Sequence, residues 1–97
     1  MKVKELLADP NKWTKGSSAR DSVGIPVHID SDRATCFCMR GALVKVCGED
    51  ENRYSRDYDK LMATILEDTC VRSITYFNDH PSTTHQDILR VLEKADV

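Results

Sequence analysis

The sequence predicts a mainly helical α+β protein with a single compact domain, residues 1–97, in which about four helices pack with one small β-hairpin. Three observations predict this class. The length suits one small hydrophobic core. Two segments of the C-terminal half place apolar residues at helical spacing over several turns. One N-terminal segment alternates apolar and polar residues after a glycine-containing turn, which is typical of a hairpin.

The chain begins with a predicted short helix. Val3, Leu6 and Leu7 have the i, i+3, i+4 spacing of one buried helix face. Asp9-Pro10 ends this helix, because the residue before a proline is disfavoured in the α region. Proline also starts a new turn readily, so we expect Trp13 to fold back onto the core.

The hairpin follows a flexible connection. Its predicted strands are Ala19–Asp21 and Ile25–Ile29, with the turn at Ser22–Gly24. Pro26 has no N–H group to donate, so the second strand is expected at an edge. An isolated hairpin is only marginally stable, and we therefore expect this one to pack on the helices.

The second helix is predicted over Arg33–Cys47. Asp30–Asp32 offers candidate N-cap side chains, and Gly48 is a natural helix stop. Gly41 inside the helix costs about 1 kcal/mol relative to alanine, which suggests close packing or a ligand against that position.

The C-terminal half predicts two further helices. The first keeps a 3-4-3-4 apolar spacing from Tyr54 to Thr69. Ser73–Phe77 is compatible with a strand or a helical turn, and Asn78–Pro81 is a turn signal. The last helix has two overlapping capping boxes, formed by Thr83 with Gln86 and by Thr84 with Asp87.

Composition excludes several function classes. No apolar run approaches the roughly 20 residues of a membrane span, and no signal peptide is expected, so we predict a cytoplasmic protein. Basic residues are in excess in residues 1–48 and acidic residues in 49–97, with a net charge of -2. This sparse basic surplus argues against duplex nucleic acid as a partner.

The four cysteines are predicted to be reduced and structural, since none lies in a C-x-x-C pair. A disulfide between Cys47 and Cys70 is the main alternative. The Cys and His spacings give no metal site, and we expect no cofactor. A nucleophile made from Cys36 or Cys38 with a histidine is a minority alternative.

Two polar clusters at predicted turns are the candidate ligand site. An arginine and a carboxylate on the hairpin would meet an asparagine and a carboxylate before the last helix, and two aromatic residues would supply a stacking wall. The structural alternative is that these residues form ion pairs and Asx-turns of their own, and that Trp13 belongs to the core. The candidates are Arg20, Asp21, Asn78, Asp79, Trp13 and Phe77.

The motifs W-T-K-G, A-R-D-S-V-G-I-P-V, A-T-C-F-C-M-R-G-A-L and F-N-D-H-P-S-T-T-H-Q-D-I-L together resemble a family of small uncharacterised bacterial and phage proteins. Phe77 stands where that family usually has tryptophan, so the indole N–H is absent from this position. The matching positions are Trp13, Gly16, Arg20, Asp21, Gly24, Pro26, Val27, Ala34, Cys38, Gly41, Ala42, Leu43, Asn78 and Asp79.

The resemblance implies a shared fold without an assigned activity. We therefore expect a small non-catalytic binding protein, encoded by a phage or mobile element, that modulates a host or defence component. Its partner would be a host protein, contacted through the acidic segment 49–59, or a small anionic ligand such as a signalling nucleotide. A cysteine-dependent hydrolase or transferase and a structural subunit of a homo-oligomer are the alternatives.

Overall fold

A computed structural model describes all residues, 1–97, and confirms a compact, mostly helical domain with one two-stranded antiparallel sheet. Its five α-helices exceed the predicted four because the ambiguous segment after residue 72 is helical. In chain order the elements are α1 (Val3–Leu6), a 3₁₀ turn (Pro10–Lys12), β1 (Ala19–Arg20), β2 (Cys36–Phe37), α2 (Met39–Cys47), α3 (Glu51–Thr69), α4 (Ile74–Asp79) and α5 (His85–Ala95).

The predicted hairpin is wrong in its second strand. β1 pairs with β2, with Ala19 opposite Phe37 and Arg20 opposite Cys36. The predicted partner does run beside β1, but it forms only an isolated bridge between Arg20 and Pro26. Two hydrogen bonds flank this bridge, from the Asp21 N–H to the Ile25 carbonyl and from the Val27 N–H to the Ala19 carbonyl, while the Ile25 N–H donates to the Asp21 side chain and not to the backbone of β1.

The second helix also begins later than predicted. Residues 36 and 37 belong to the sheet, so α2 starts at Met39 and Asp30–Asp32 does not cap it. Cys38 is the N-cap instead, and its Sγ accepts a hydrogen bond from the Gly41 N–H at 3.3 Å. A Cβ atom at Gly41 would overlap the carbonyl oxygen of Ser18, which confirms the close packing predicted there.

The longer helices follow the sequence pattern closely. Asp50 caps α3, and Thr84 and Asp87 form the second of the two predicted capping boxes at the start of α5. The core is one cluster of buried residues from every helix and both strands, and Val97 at the chain end belongs to it. Its largest members are Leu7, Met39, Leu43, Leu61, Ile65, Ile88 and Leu92.

The cysteines are all free thiols, and Cys47 and Cys70 are not bonded to each other. Cys47 is buried, with its Sγ 3.9 Å from a carboxylate oxygen of Asp57. Cys70 is exposed at the end of α3 in the left-handed conformation.

Candidate functional site

Asn78 is the centre of the polar cluster that the sequence singles out. It lies in the last turn of α4 and is fully buried. Its Oδ1 accepts hydrogen bonds from Trp13 Nε1 at 2.8 Å and from the Met39 N–H at 3.0 Å. Its Nδ2 donates to the Thr14 carbonyl at 3.0 Å and to Asp79 Oδ1 at 2.8 Å. Both amide protons and both oxygen lone pairs are thus used inside the protein.

Asp79 extends this network to the anchored loop, which we define as Thr14–Gly16. Its Oδ1 accepts the Gly16 N–H at 3.0 Å, and Lys15 Nζ donates to the His80 carbonyl at 2.7 Å. Together with Asn78, these bonds fix the anchored loop on the end of α4.

Arg20 holds the anchored loop from the opposite side. Its Nε donates to Thr14 Oγ1 at 3.1 Å and its Nη2 to the Lys15 carbonyl at 3.0 Å. Its Nη1 donates to the Gly24 carbonyl at 3.0 Å, so the same guanidinium reaches a second loop. Arg20 and Asn78 are therefore connected through the anchored loop, and no hydrogen bond joins them directly.

Asp21 organises the second loop, which we call the apolar loop and define as Ser22–Pro26. Its Oδ1 accepts the N–H groups of Val23 at 3.0 Å and Ile25 at 2.9 Å. The Gly24 N–H donates to the Asp21 carbonyl at 3.1 Å, and Gly24 has the positive φ of 89° that glycine tolerates. The result is a closed turn whose aliphatic side chains face solvent, with Val23 76% and Ile25 54% exposed.

The two predicted aromatic residues do not form a shared wall. Trp13 is half-buried, with Lys15 Nζ 5.5 Å from its ring centroid and His85 packed at 5.8 Å. Phe77 belongs to the core and lines a separate cavity of about 220 Å³ between α3, α4 and α5.

The predicted site residues also face different cavities. Arg20 and Asp21 line a cleft of about 560 Å³ beside Lys12, whereas Asp79 lines two other cavities, on the α4 side of the anchored loop. Four of the six residues thus support two loops, Trp13 is hydrogen-bonded to Asn78, and Phe77 lies apart in the core. The role of these residues in binding a ligand stays a prediction. Asn78 has no free hydrogen-bonding group to offer a ligand.

The two buried thiols, Cys38 and Cys47, are poorly placed for nucleophilic chemistry. Burial raises the pKa of Cys38, and burial followed by the nearby Asp57 carboxylate raises the pKa of Cys47. A raised pKa lowers the thiolate fraction on which cysteine reactivity depends. Neither thiol is hydrogen-bonded to a histidine. No group of three or more His, Cys, Asp or Glu residues is placed to hold a metal ion.

Sequence reasoning missed the solvent exposure of Val23 and Ile25 and the position of Arg40. The motif V-G-I-P suggests strand residues, whereas Ser22–Pro26 forms an exposed turn that is closed by hydrogen bonds to Asp21. Arg40 lies beside the anchored loop only because the end of α4 and the start of α2 meet at Asn78. No local pattern signals that contact.

The helices are too short or too polar to cross a membrane, and none of them meets the requirements of a membrane span. Comparison with known proteins identifies the family of this chain. A family model described as a family of unknown function, DUF6197, matches residues 1–96. Neither a curated protein nor a solved structure matches the chain. Because the match covers almost every residue, this chain belongs to the family of unknown function DUF6197.

Proposed function

We propose that this chain is a non-catalytic binding protein that contacts a partner protein through the apolar loop, Ser22–Pro26. The observation that carries the proposal is the exposure of Val23 and Ile25 on a loop whose backbone is fixed by Arg20 and Asp21. All five residues of the apolar loop are exposed.

The polar contacts explain why this loop is suited to binding. A flexible loop loses conformational entropy when it is ordered in a complex, and that loss weakens binding. Here the Asp21 carboxylate and the Arg20 guanidinium already hold the turn in one shape. Two aliphatic side chains presented on a preorganised turn can therefore enter an apolar depression on a partner at little entropic cost.

The size of the effect follows from the exposed area. Complete burial of one aliphatic side chain contributes about 1.5 to 3 kcal/mol. Because Val23 is mostly exposed and Ile25 about half exposed, burying each side chain in a complex would contribute about 1 to 2 kcal/mol to the binding free energy. Such a pair accounts for roughly a thirtyfold to thousandfold change in the dissociation constant.

A protein partner is better supported than the small anionic ligand. A ligand held jointly by Arg20 and Asn78 would need free donors on both residues, but Asn78 has none and Arg20 directs its groups at three protein acceptors. In the acidic segment 49–59, Asp57 is buried and lies 3.5 Å from both Arg53 and Arg56, whereas the other acidic residues are exposed.

The proposal also includes a biological setting for the protein. We propose modulation of a host or defence component in a phage or mobile-element context, which rests on the resemblance of the motifs alone. A cytoplasmic location stays part of that proposal.

The test compares protein capture by three immobilised chains: the wild type, a Val23→Ser/Ile25→Ser variant, and Leu66→Ser. Leu66 is a matched control because it is an exposed aliphatic residue, 41% accessible, on α3. We expect a protein from the host lysate that the wild type and the control retain and the loop variant loses.

The captured protein is then purified and titrated by calorimetry. The dissociation constant should rise at least thirtyfold for the loop variant and less than threefold for Leu66→Ser. Equal affinity of the loop variant and the wild type would contradict the proposal, as would a partner lost equally with both variants.

A further inference from the structure

A second feature of the surface is a small cavity of about 210 Å³ between the anchored loop, the start of α2 and α4. Arg20 does not line this cavity, and the cavity takes no part in the proposed function. Its polar lining is formed by Ser17, Ser18, Cys38, Arg40, Thr75 and Asp79.

One side of the cavity offers hydrogen-bond donors without protein partners. Arg40 is exposed, and its guanidinium makes no hydrogen bond and has no carboxylate within ion-pair distance, although it lines the same cavity as Asp79. The N–H groups of Ser17 and Ser18 donate to no protein acceptor, and the Ser18 hydroxyl is also unpaired. The first N–H groups of α2 are not part of this set, because Asn78 and the Cys38 Sγ already accept two of them.

The other side offers acceptors. Asp79 uses only Oδ1 for its bonds to Gly16 and Asn78, so its Oδ2 accepts nothing. Those two bonds nevertheless hold the carboxylate in place. The Thr75 hydroxyl is exposed and unpaired beside it.

Cys38 lines the same cavity as the two charged residues, Arg40 and Asp79. The pKa of this buried thiol is raised mainly by burial, with Asp79 raising it and Arg40 lowering it as smaller contributions. Arg40 and Asp79 line this cavity without forming a salt bridge, so more than 4 Å separates their charged atoms. A cavity with separated, unpaired charges of opposite sign is complementary to a small molecule that carries both signs.

We propose that this cavity binds a small zwitterion of the α-amino acid class. The ligand carboxylate would accept hydrogen bonds from Arg40 and from the N–H groups of Ser17 and Ser18. The ligand ammonium would donate to Asp79 Oδ2 and the Thr75 hydroxyl. The volume of about 210 Å³ admits small side chains and excludes a nucleotide.

The test is a ¹H–¹⁵N NMR titration of the wild-type protein with L-alanine and L-serine, with acetate and methylammonium as single-charge probes. We expect saturable shifts of the Ser17, Ser18 and Thr75 amides with the amino acids, and at least tenfold weaker binding of either single-charge probe. Arg40→Gln should weaken amino acid binding at least tenfold.

Lys45→Gln is the matched control, because it also removes one cation from α2 but lies away from the cavity. It should change amino acid binding less than twofold. Equal binding of acetate and L-alanine would overturn the zwitterion assignment. Unchanged spectra at an amino acid concentration of about 20 mM, which would reveal even a millimolar dissociation constant, would overturn the site. Neither result bears on the apolar loop.

Discussion

Replacement of Asn78 by aspartate is the sharpest perturbation of the polar network, because it changes one amide nitrogen to oxygen with almost no change in shape. The Asn78 Nδ2 faces two oxygens, the Thr14 carbonyl and Asp79 Oδ1. In Asn78→Asp a carboxylate oxygen would face both, in a site that is fully buried. An uncompensated buried charge costs about 3 to 5 kcal/mol, against a total stability of roughly 5 to 15 kcal/mol for a domain of this size.

The pH dependence of this loss separates charge repulsion from simple packing damage. Burial and the neighbouring Asp79 raise the pKa of the introduced carboxyl in the folded state above its unfolded value of about 3.9. The penalty is therefore largest above the folded-state pKa and shrinks as the pH falls toward the unfolded pKa, where the carboxyl is protonated in both states. Relative to wild type, we expect the loss to decrease by about 1 to 3 kcal/mol between pH 7 and pH 5.

The assay is urea denaturation followed by circular dichroism at both pH values. The control is Asn78→Ala, which deletes the same hydrogen bonds without adding a charge, and its loss relative to wild type should be equal at pH 5 and pH 7. A loss below about 1 kcal/mol for Asn78→Asp, or one that does not change with pH, would refute the assigned role of Asn78.

Three further substitutions test other parts of the structure. Arg20→Lys should lower the free energy of unfolding by about 1 to 2 kcal/mol, since an ammonium cannot reproduce the three-way guanidinium fork; an unchanged urea midpoint would count against this. Gly41→Ala should destabilise α2 by about 1 to 3 kcal/mol despite its better helix propensity, because its Cβ would overlap a backbone carbonyl; a raised melting temperature would disprove that overlap. The pKa of Asp96 is lowered by hydrogen bonds from Lys2 and then Lys4, so its stabilisation is present above pH 4 and is lost as the pH falls through the folded-state pKa. Asp96→Asn should therefore be less stable than wild type at pH 7 and converge on it in acid, and parallel stability curves would contradict the interaction.

The sequence predicts the parts of the fold that local chemistry determines. The periodic apolar face from Tyr54 to Thr69 and the capping box at Thr84 depend on residues within one or two turns, and the structure confirms both. The mainly helical class follows from such segments.

The sheet and the site depend on contacts that no local pattern encodes. β1 lies between two segments, with the two-residue ladder to β2 on one side and the isolated bridge from Arg20 to Pro26 on the other, and no local pattern indicates which of them forms the ladder. Asn78 looks like a turn residue because Asn-Asp-His-Pro is a turn signal, whereas its partners Trp13, Thr14 and Met39 come from distant parts of the chain. The sequence identifies these residues as special, and only the tertiary structure shows that they support two loops.

The most direct test of the central claim, that the apolar loop has one fixed shape before it binds, is amide hydrogen exchange measured by NMR on the free protein. The Val23 and Ile25 N–H groups donate to Asp21, whereas the Ser22 N–H has no acceptor and serves as an internal reference. We predict exchange at least about tenfold slower at Val23 and Ile25 than at Ser22 after correction for intrinsic rates, and loss of that protection in Asp21→Ala. Equal exchange at all three positions in the wild type would contradict the claim.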